Sequence, residues 1–292
     1  MRTEIKPFLR WAGGKRWLAK SIAPIMRKRL KGRYFEPFLG AGAMFFAMSP
    51  KQALLSDLNG ELINAFQIVA EMPNRLLKEI RKIPVTKESY YKIRSSRPRS
   101  SLQRAVRFIY LNRTCYGGLY RENRQGEFNT PFGGGSRTPA PLWERNLILE
   151  ASKLLSNKGV ELKVQDFADS MKLAKKGDVV YCDPTYRAVT RNQFDRYGSV
   201  IFDWSDQERL AEQARYAVDR GALVVISNTF CDEIKTLYKE AIFVPLRKNK
   251  TIGNRPRHSN NNKESLIILD PDHNFQGWNS LRERACDEGK KK

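Results

Sequence analysis

Histidine and cysteine are scarce in this chain. Its 292 residues include two histidines, His258 and His273, and four cysteines, at positions 115, 182, 231 and 286. No pair of cysteines has CxxC or other metal-ligand spacing, which argues against a structural zinc site and against Ser-His-Asp or Cys-His catalysis. Isolated cysteines suit a reducing cytoplasm. Long apolar runs are missing as well. The longest, around Ala222-Leu223-Val224-Val225-Ile226, falls far short of the ~18–20 residues of a membrane-spanning helix. The N-terminus has no apolar core of the ~7–15 residues found in secretory signals. The expectation is a soluble cytoplasmic protein with no membrane partner, acting as a monomer. Acid is also in short supply: 31 Asp and Glu stand against 53 Lys and Arg, a net charge of +22. A field of that size points to a polyanionic partner, nucleic acid first. The excess is uneven. Residues 1–33 hold eleven basic residues against Glu4 alone, and residues 245–263 hold six with no acid.

Hydrophobic residues make up 41% of the chain, enough for a sizeable core in one large domain or a core domain with a smaller companion. Short apolar runs at 34–38, 53–56, 160–164, 178–182, 223–227, 242–246 and 265–269 read as strands. Helical patterns over about 61–70, 142–157, 205–220 and 231–240 separate most of them. This alternation predicts an α/β fold with a mostly parallel sheet, and the last two strands, joined by a basic loop, form an antiparallel hairpin at one edge. From Pro73 to Trp143 the character changes. Two basic helical stretches, about 74–82 and 100–113, precede a glycine-rich segment from Tyr116 to Gly135 in which Gly and Asn punctuate two aromatic runs, the pattern of a hairpin or ordered loop. This region reads as an insert with its own task.

In open α/β sheets, ligands bind beyond the carboxyl ends of the strands. Four candidates fall there: the Gly40/Gly42 loop, Asp57, Asp166 and Asp183. Glycine in Glu36-Pro37-Phe38-Leu39-Gly40-Ala41-Gly42 lets a ligand approach the backbone, although glycine turns are often purely structural. Asp57 ends the next strand, where a carboxylate accepts hydrogen bonds from ribose hydroxyls; the competing reading is a cap on the following helix. Together these describe an adenosine-containing ligand without separating NAD from S-adenosylmethionine. Asp183-Pro184-Thr185-Tyr186 separates them. The lone pair of adenine N6 is delocalised into the ring. A carboxylate, Asp183, and a backbone carbonyl, that of Pro184, can each accept an N6 proton and favour localisation of the pair. Pro184 stiffens the turn, and Tyr186 offers a ring face to an extruded base. Alone, Asp-Pro-x-Tyr is a common turn; its position at the end of an apolar strand makes it a methyl-transfer candidate. A sulfonium donor needs no metal.

The chain resembles the Dam-type, or class D12 (alpha group), adenine-N6 DNA methyltransferases. The resemblance rests on Pro7–Lys15 with its Trp11-Ala12-Gly13-Gly14-Lys15 block, Glu36–Gly42, Asp57-Leu58-Asn59, Leu111-Asn112-Arg113, Gly118–Arg121, Gly126-Glu127-Phe128-Asn129, Pro131-Phe132-Gly133, Asp183–Tyr186 and Ile226-Ser227-Asn228, in the family's order. It implies a Rossmann-like, seven-stranded S-adenosylmethionine-dependent methyltransferase sheet (1–60 and 144–275). It also implies an inserted, mostly helical target-recognition domain carrying a β-hairpin (61–143), leaving 276–292 as a flexible basic tail. The implied function is transfer of a methyl group from S-adenosylmethionine to N6 of a flipped-out adenine in double-stranded DNA. Cofactor contacts are implied for Trp11, Ala12, Gly13, Lys15, Pro37, Phe38, Gly40, Gly42, Asp57, Asp166, Phe167 and Asp183. Asp183, Pro184, Thr185 and Tyr186 are the implied catalytic set. DNA contacts are implied for Arg113, Tyr116, Leu119, Arg121, Asn123 and Pro131, with Arg247, Lys248, Arg255 and Arg257 as a phosphate clamp. Arg121 suits a guanine edge and Tyr116 a wedge into the base stack. The chain departs from the family pattern at Thr185, where a second proline is usual, and at Gly117, where GATC-type enzymes carry Asn. A non-catalytic DNA-binding relative, a methyltransferase for RNA or a protein amide, and a nicotinamide dehydrogenase are the competing readings.

Overall fold

The computed structural model describes residues 5–11, 13–123, 125–134, 143–184, 202–246 and 264–287. Seven strands form one mixed sheet: β1 (Tyr34–Glu36), β2 (Ala53–Asp57), β3 (Val160–Val164), β4 (Val179–Cys182), β5 (Leu223–Thr229), β6 (Ile242–Leu246) and β7 (Glu264–Leu269), in the order β3-β2-β1-β4-β5-β7-β6. The pairs β1/β4, β4/β5 and β2/β3 are parallel, whereas β7 runs antiparallel to both β5 and β6. The α/β class and the terminal antiparallel pair therefore match the expectation from sequence. All seven residues of β5 are buried, as befits a strand covered on both faces. Charged residues alternate along Val160–Val164, which lies at the sheet edge.

The chain divides into two compact units. The first comprises the described residues up to Pro24 and those from Phe38 to Asp166. It holds β2, β3, α2 (Ala43–Met48), α3 (Gly60–Glu71), α4 (Pro73–Arg81), α5 (Lys87–Ser95), α6 (Ser101–Thr114), a 3-10 turn at Tyr116–Gly118, and α7 (Arg145–Leu155). Asn59 caps α3 by accepting the Leu62 N–H at 2.9 Å. Thr86 and Ser100 cap α5 and α6 in the same way, using the Ser89 and Gln103 N–H groups. The core centres on Phe8, Phe46 and Phe66, with Phe8 and Phe66 ring centroids 4.8 Å apart. The insert expected at 61–143 lies within this unit. Among its described residues the glycine-rich segment forms two isolated antiparallel bridges, Cys115↔Phe132 and Glu122↔Phe128.

The second unit contains the described residues of Ile25–Pro37 and those from Phe167 onward. It holds β1, β4–β7, α8 (Phe167–Met171), α9 (Trp204–Asp219), α10 (Asp232–Leu237) and α11 (Gln276–Asp287). The helix α1 (Arg16–Arg29) contributes its C-terminal end here. Asp178 fixes β1 beside β4: its Oδ1 accepts the Arg33 N–H at 2.6 Å and its Oδ2 the Lys175 N–H at 2.9 Å. A capping box of Asp203 and Asp206 opens α9. Residues 276–287, expected as the start of a flexible tail, form α11, whose Trp278 is fully buried and whose Gly277 lies against Ile25.

Candidate active site

The glycine loop of the first unit is held from three sides. The Leu39 N–H donates to the Ser56 carbonyl at 3.0 Å and the Gly42 N–H to the Leu39 carbonyl at 2.7 Å. The Gly40 N–H donates to Asp57 Oδ2 at 3.1 Å. Gly40 and Gly42 have φ of 46° and 67°, in the left-handed region that glycine adopts without a Cβ penalty. A Cβ at Gly40 would stand 3.0 Å from Cδ1 and 3.1 Å from Nε1 of Trp11, so the loop and the indole are in close contact.

Asp57 also accepts the Asn59 N–H on Oδ1 at 3.0 Å. It is not the helix cap; Asn59 is. Burial raises the Asp57 pKa, and the N–H groups of Asn59, Gly40 and Leu58 oppose that rise. With these N–H groups in place the carboxylate still has acceptor capacity for a ligand hydroxyl, since its two oxygens offer about four lone-pair sites. Lys15 is buried, and its ammonium donates to the Gly13 carbonyl at 3.1 Å. Asp166 is half-exposed, two residues beyond β3.

In the second unit, the fully buried run Val179–Cys182 ends at Asp183, which is half-buried, and Pro184, which is buried. Beside β4, the buried Glu36 at the end of β1 accepts a 2.7 Å hydrogen bond from the Tyr34 hydroxyl. Burial and then Glu36 push the Tyr34 phenol well above its ordinary pKa. Burial, followed by the charges of Asp183 and Glu36, likewise pushes up the Cys182 thiol. Cys182 is therefore a neutral thiol and no nucleophile. Near the end of β5, Asn228 donates from Nδ2 to Gln207 Oε1 at 2.9 Å and accepts the Thr229 N–H on Oδ1. Pro37 is buried and Phe38 half-buried. Phe167 is buried with the Arg209 guanidinium 4.8 Å from its ring centre. Glu36, Asn59, Gln207 and Asn228 were not singled out by sequence as site residues, because their placement depends on strand register and capping.

The glycine-rich segment presents Tyr116 and Leu119 at 65% and 45% exposure. Arg121 is exposed, and its Nε donates to Asn129 Oδ1 at 2.8 Å, which presets the guanidinium. Pro131 is exposed, and its carbonyl accepts the Tyr116 N–H. Two expected DNA contacts also make internal hydrogen bonds. The Asn123 side chain closes the turn, accepting the N–H groups of Gln125 and Glu127 and donating to Glu127 Oε2. Arg113 is half-buried and its guanidinium reaches the Phe8 carbonyl at 3.5 Å. Ala12, Thr185, Tyr186, Arg247, Lys248, Arg255 and Arg257 lie outside the described residues. Among the described residues, no group of three or more His, Cys, Asp or Glu could hold a metal ion, and no helix is long and apolar enough to cross a membrane.

A seven-stranded mixed sheet, a glycine loop after β1 and carboxylates at the ends of β2 and β4 define a methyltransferase of the Rossmann-like class. The chain belongs to the D12 class N6 adenine-specific DNA methyltransferase family, whose family model matches residues 11–252. It is similar to the type II methyltransferase M1.LlaDCHI of Lactococcus lactis subsp. cremoris, 32% identical over 277 residues, covering 92% of this chain and 96% of that one. It is also similar to the DNA adenine methylase of Escherichia coli K12, 33% identical over 274 residues, covering 91% and 96%. The DNA N-6-adenine-methyltransferase of Escherichia phage P1 is 31% identical over 245 residues, which make up 82% of this chain and 32% of the phage protein. The protein is thus a site-specific adenine DNA methyltransferase.

Proposed function

We propose that the chain methylates N6 of an adenine extruded from duplex DNA, with S-adenosylmethionine as donor and Asp183 and Pro184 as the groups that hold the amine. The observation that carries this is a half-buried carboxylate, followed by a proline, at the end of the fully buried strand β4. The fit to the donor rests on the Gly40 cradle, closed by any Cβ, and on the spare acceptor capacity of Asp57. Trp11, Lys15, Gly40, Asp57 and Asp166 would hold the nucleoside and its polar groups. When bound, S-adenosylmethionine supplies an electrophilic methyl group.

The chain's own task is to aim the amine. The Asp183 carboxylate accepts one N6 proton and the Pro184 carbonyl the other, which turns the nitrogen lone pair out of conjugation. Beside β4, the buried Glu36 is engaged by the Tyr34 hydroxyl. Residues 61–143 act as the recognition domain, with Tyr116 and Leu119 against bases and Arg121 on a base edge. The net charge of +22 supports phosphate binding. The bacterial and phage origin of the relatives supports action in the cytoplasm of a bacterial or phage-infected cell. Recognition insert and catalytic strand lie on one chain, which supports a working monomer; sedimentation at assay concentration checks it.

The test is Asp183→Ala, assayed for N6-methyladenine on unmethylated genomic DNA and for duplex retention. Transfer should fall by about 100-fold or more, with duplex affinity within about threefold of wild type. An equal loss of binding would remove Asp183 from the chemistry. Sequencing of modified adenines in an expressing host then identifies the target.

A further inference from the structure

The Trp11 indole lies against the glycine loop on one side and the recognition segment on the other. Tyr120 stacks on it, with ring centroids 5.5 Å apart and planes 18° from parallel. Phe108 and Phe128 wedge Tyr120 from behind, at 5.1 and 5.4 Å. The Tyr120 hydroxyl donates to Glu122 Oε1 at 2.6 Å, and the Asn59 side chain hydrogen-bonds the phenol as well. Asn59 is the residue whose N–H rests on Asp57 Oδ1. Tyr120 thus reaches the glycine loop through Trp11 and the ribose carboxylate through Asn59. Its two chain neighbours are Leu119 and Arg121, both exposed for DNA. The preceding residue is tied in too: Asn112 grips both backbone groups of Arg10, and a Cβ at Gly118 would stand 2.7 Å from the Arg10 side chain.

We infer that the Trp11–Tyr120 stack couples the cofactor loop to the recognition segment, so that filling one site tightens binding at the other. Tyr120 is a positioning residue in this device. A nucleoside seated on Gly40 restrains the Trp11 indole, which restrains the Tyr120 ring and hence the residues flanking it. DNA then meets a segment whose ordering cost has already been met, and by linkage it strengthens cofactor binding by the same factor. This rests on the reading of the Gly40–Asp57 group as the cofactor site.

The experiment measures S-adenosylhomocysteine affinity by calorimetry with and without a short duplex carrying the site found by modified-base sequencing. It also measures duplex affinity with and without saturating S-adenosylhomocysteine. The wild-type protein should show one common factor of about fivefold or more in both directions. Tyr120→Phe, which keeps the stack, should retain most of it. Tyr120→Ala should bring it to about one, and Tyr120→Leu, which keeps apolar bulk without an aromatic face, should do the same if the alanine variant fails to fold. A wild-type factor of one, an undiminished factor in both truncated variants, or its loss in Tyr120→Phe overturns the inference. Binary S-adenosylhomocysteine binding to wild type and Asp57→Ala tests the cofactor site alone. Absent binding by wild type, or undiminished binding by Asp57→Ala, sinks that reading, whereas normal wild-type binding without coupling sinks only the link.

Discussion

Asn112→Ala isolates what holds the Arg10–Trp11 segment. Asn112 is fully buried near the end of α6; its Oδ1 accepts the Arg10 N–H at 2.9 Å and its Nδ2 donates to the Arg10 carbonyl at 2.7 Å. Truncation orphans two backbone groups at once. Each costs about 1–3 kcal/mol when buried. Arg10 is half-exposed, so water partly compensates, and a total loss of about 2–4 kcal/mol is expected. At about 2 °C per kcal/mol for a chain of this size, the midpoint should fall by about 4–8 °C in a calorimetric melt. The loss should also reach the site, because the released backbone carries Trp11. The KM for S-adenosylmethionine should rise by more than kcat falls, since the change removes positioning of a binding group and no group that touches the amine. A midpoint shift under about 1 °C refutes the assigned strength of the clamp. A full thermal loss with an unchanged KM confines Asn112 to folding and refutes the link to Trp11.

Gly40→Ala puts a Cβ 3.0 Å from the Trp11 ring at a φ of 46°; S-adenosylhomocysteine affinity should fall at least about tenfold while the melting midpoint drops by only a few degrees, and intact affinity would show that no ligand uses this cradle. The Asp57 pKa is raised, so this group's contribution to stability is present below its unfolded value and is lost as pH rises through the folded value. Cofactor affinity has the opposite sign: it should weaken on acidification, at a pH above the ordinary aspartate range, and calorimetric titration across pH 4–7 should show a step that is absent in Asp57→Asn. Arg29 forms a paired 2.7 Å contact with the buried carboxylate of Asp270; Arg29→Ala should cost about 3 kcal/mol, and Asp270→Asn less, since no charge is left buried, as read from denaturant melts.

The strand-end acids were legible because apolar runs stop on them: Ala53–Ser56 at Asp57 and Val179–Cys182 at Asp183. The antiparallel pair at the end was legible because only a basic loop separates its strands. The helices α1 and α5 were not. Arg16–Arg29 contains Pro24, which breaks the expected pattern, and Lys87–Ser95 buries only Tyr90. Helix α11 looked like a tail because a single aromatic anchor, Trp278, docks it. Asn112 stood within a matched block, but its task involves a partner 102 positions away, which no local spacing reveals. The turn-closing bonds of Asn123 were hidden for the opposite reason: they are local, onto Glu127, and a polar residue in a glycine-rich segment looks the same in sequence whether it faces a phosphate or its own backbone.

Charge explains why acids stand at the strand ends of so basic a protein. The methyl donor carries a sulfonium cation, whereas DNA is a polyanion. Surface lysines and arginines act through solvent and are screened within about 10 Å at moderate salt. Carboxylates withdrawn from solvent are screened less; Glu36 is buried and Asp57 and Asp183 are half-buried, while the net charge of the chain is +22. Burial alone would neutralise such groups. At Asp57 the opposing contribution comes from the N–H groups of Asn59, Gly40 and Leu58. The Gly40 N–H reaches that carboxylate from a backbone at φ 46°, a conformation that side-chain-bearing residues rarely adopt. The loop glycine therefore does more than clear space for a ligand. Its conformation aims an N–H at the acid and opposes the rise that burial imposes on the Asp57 pKa.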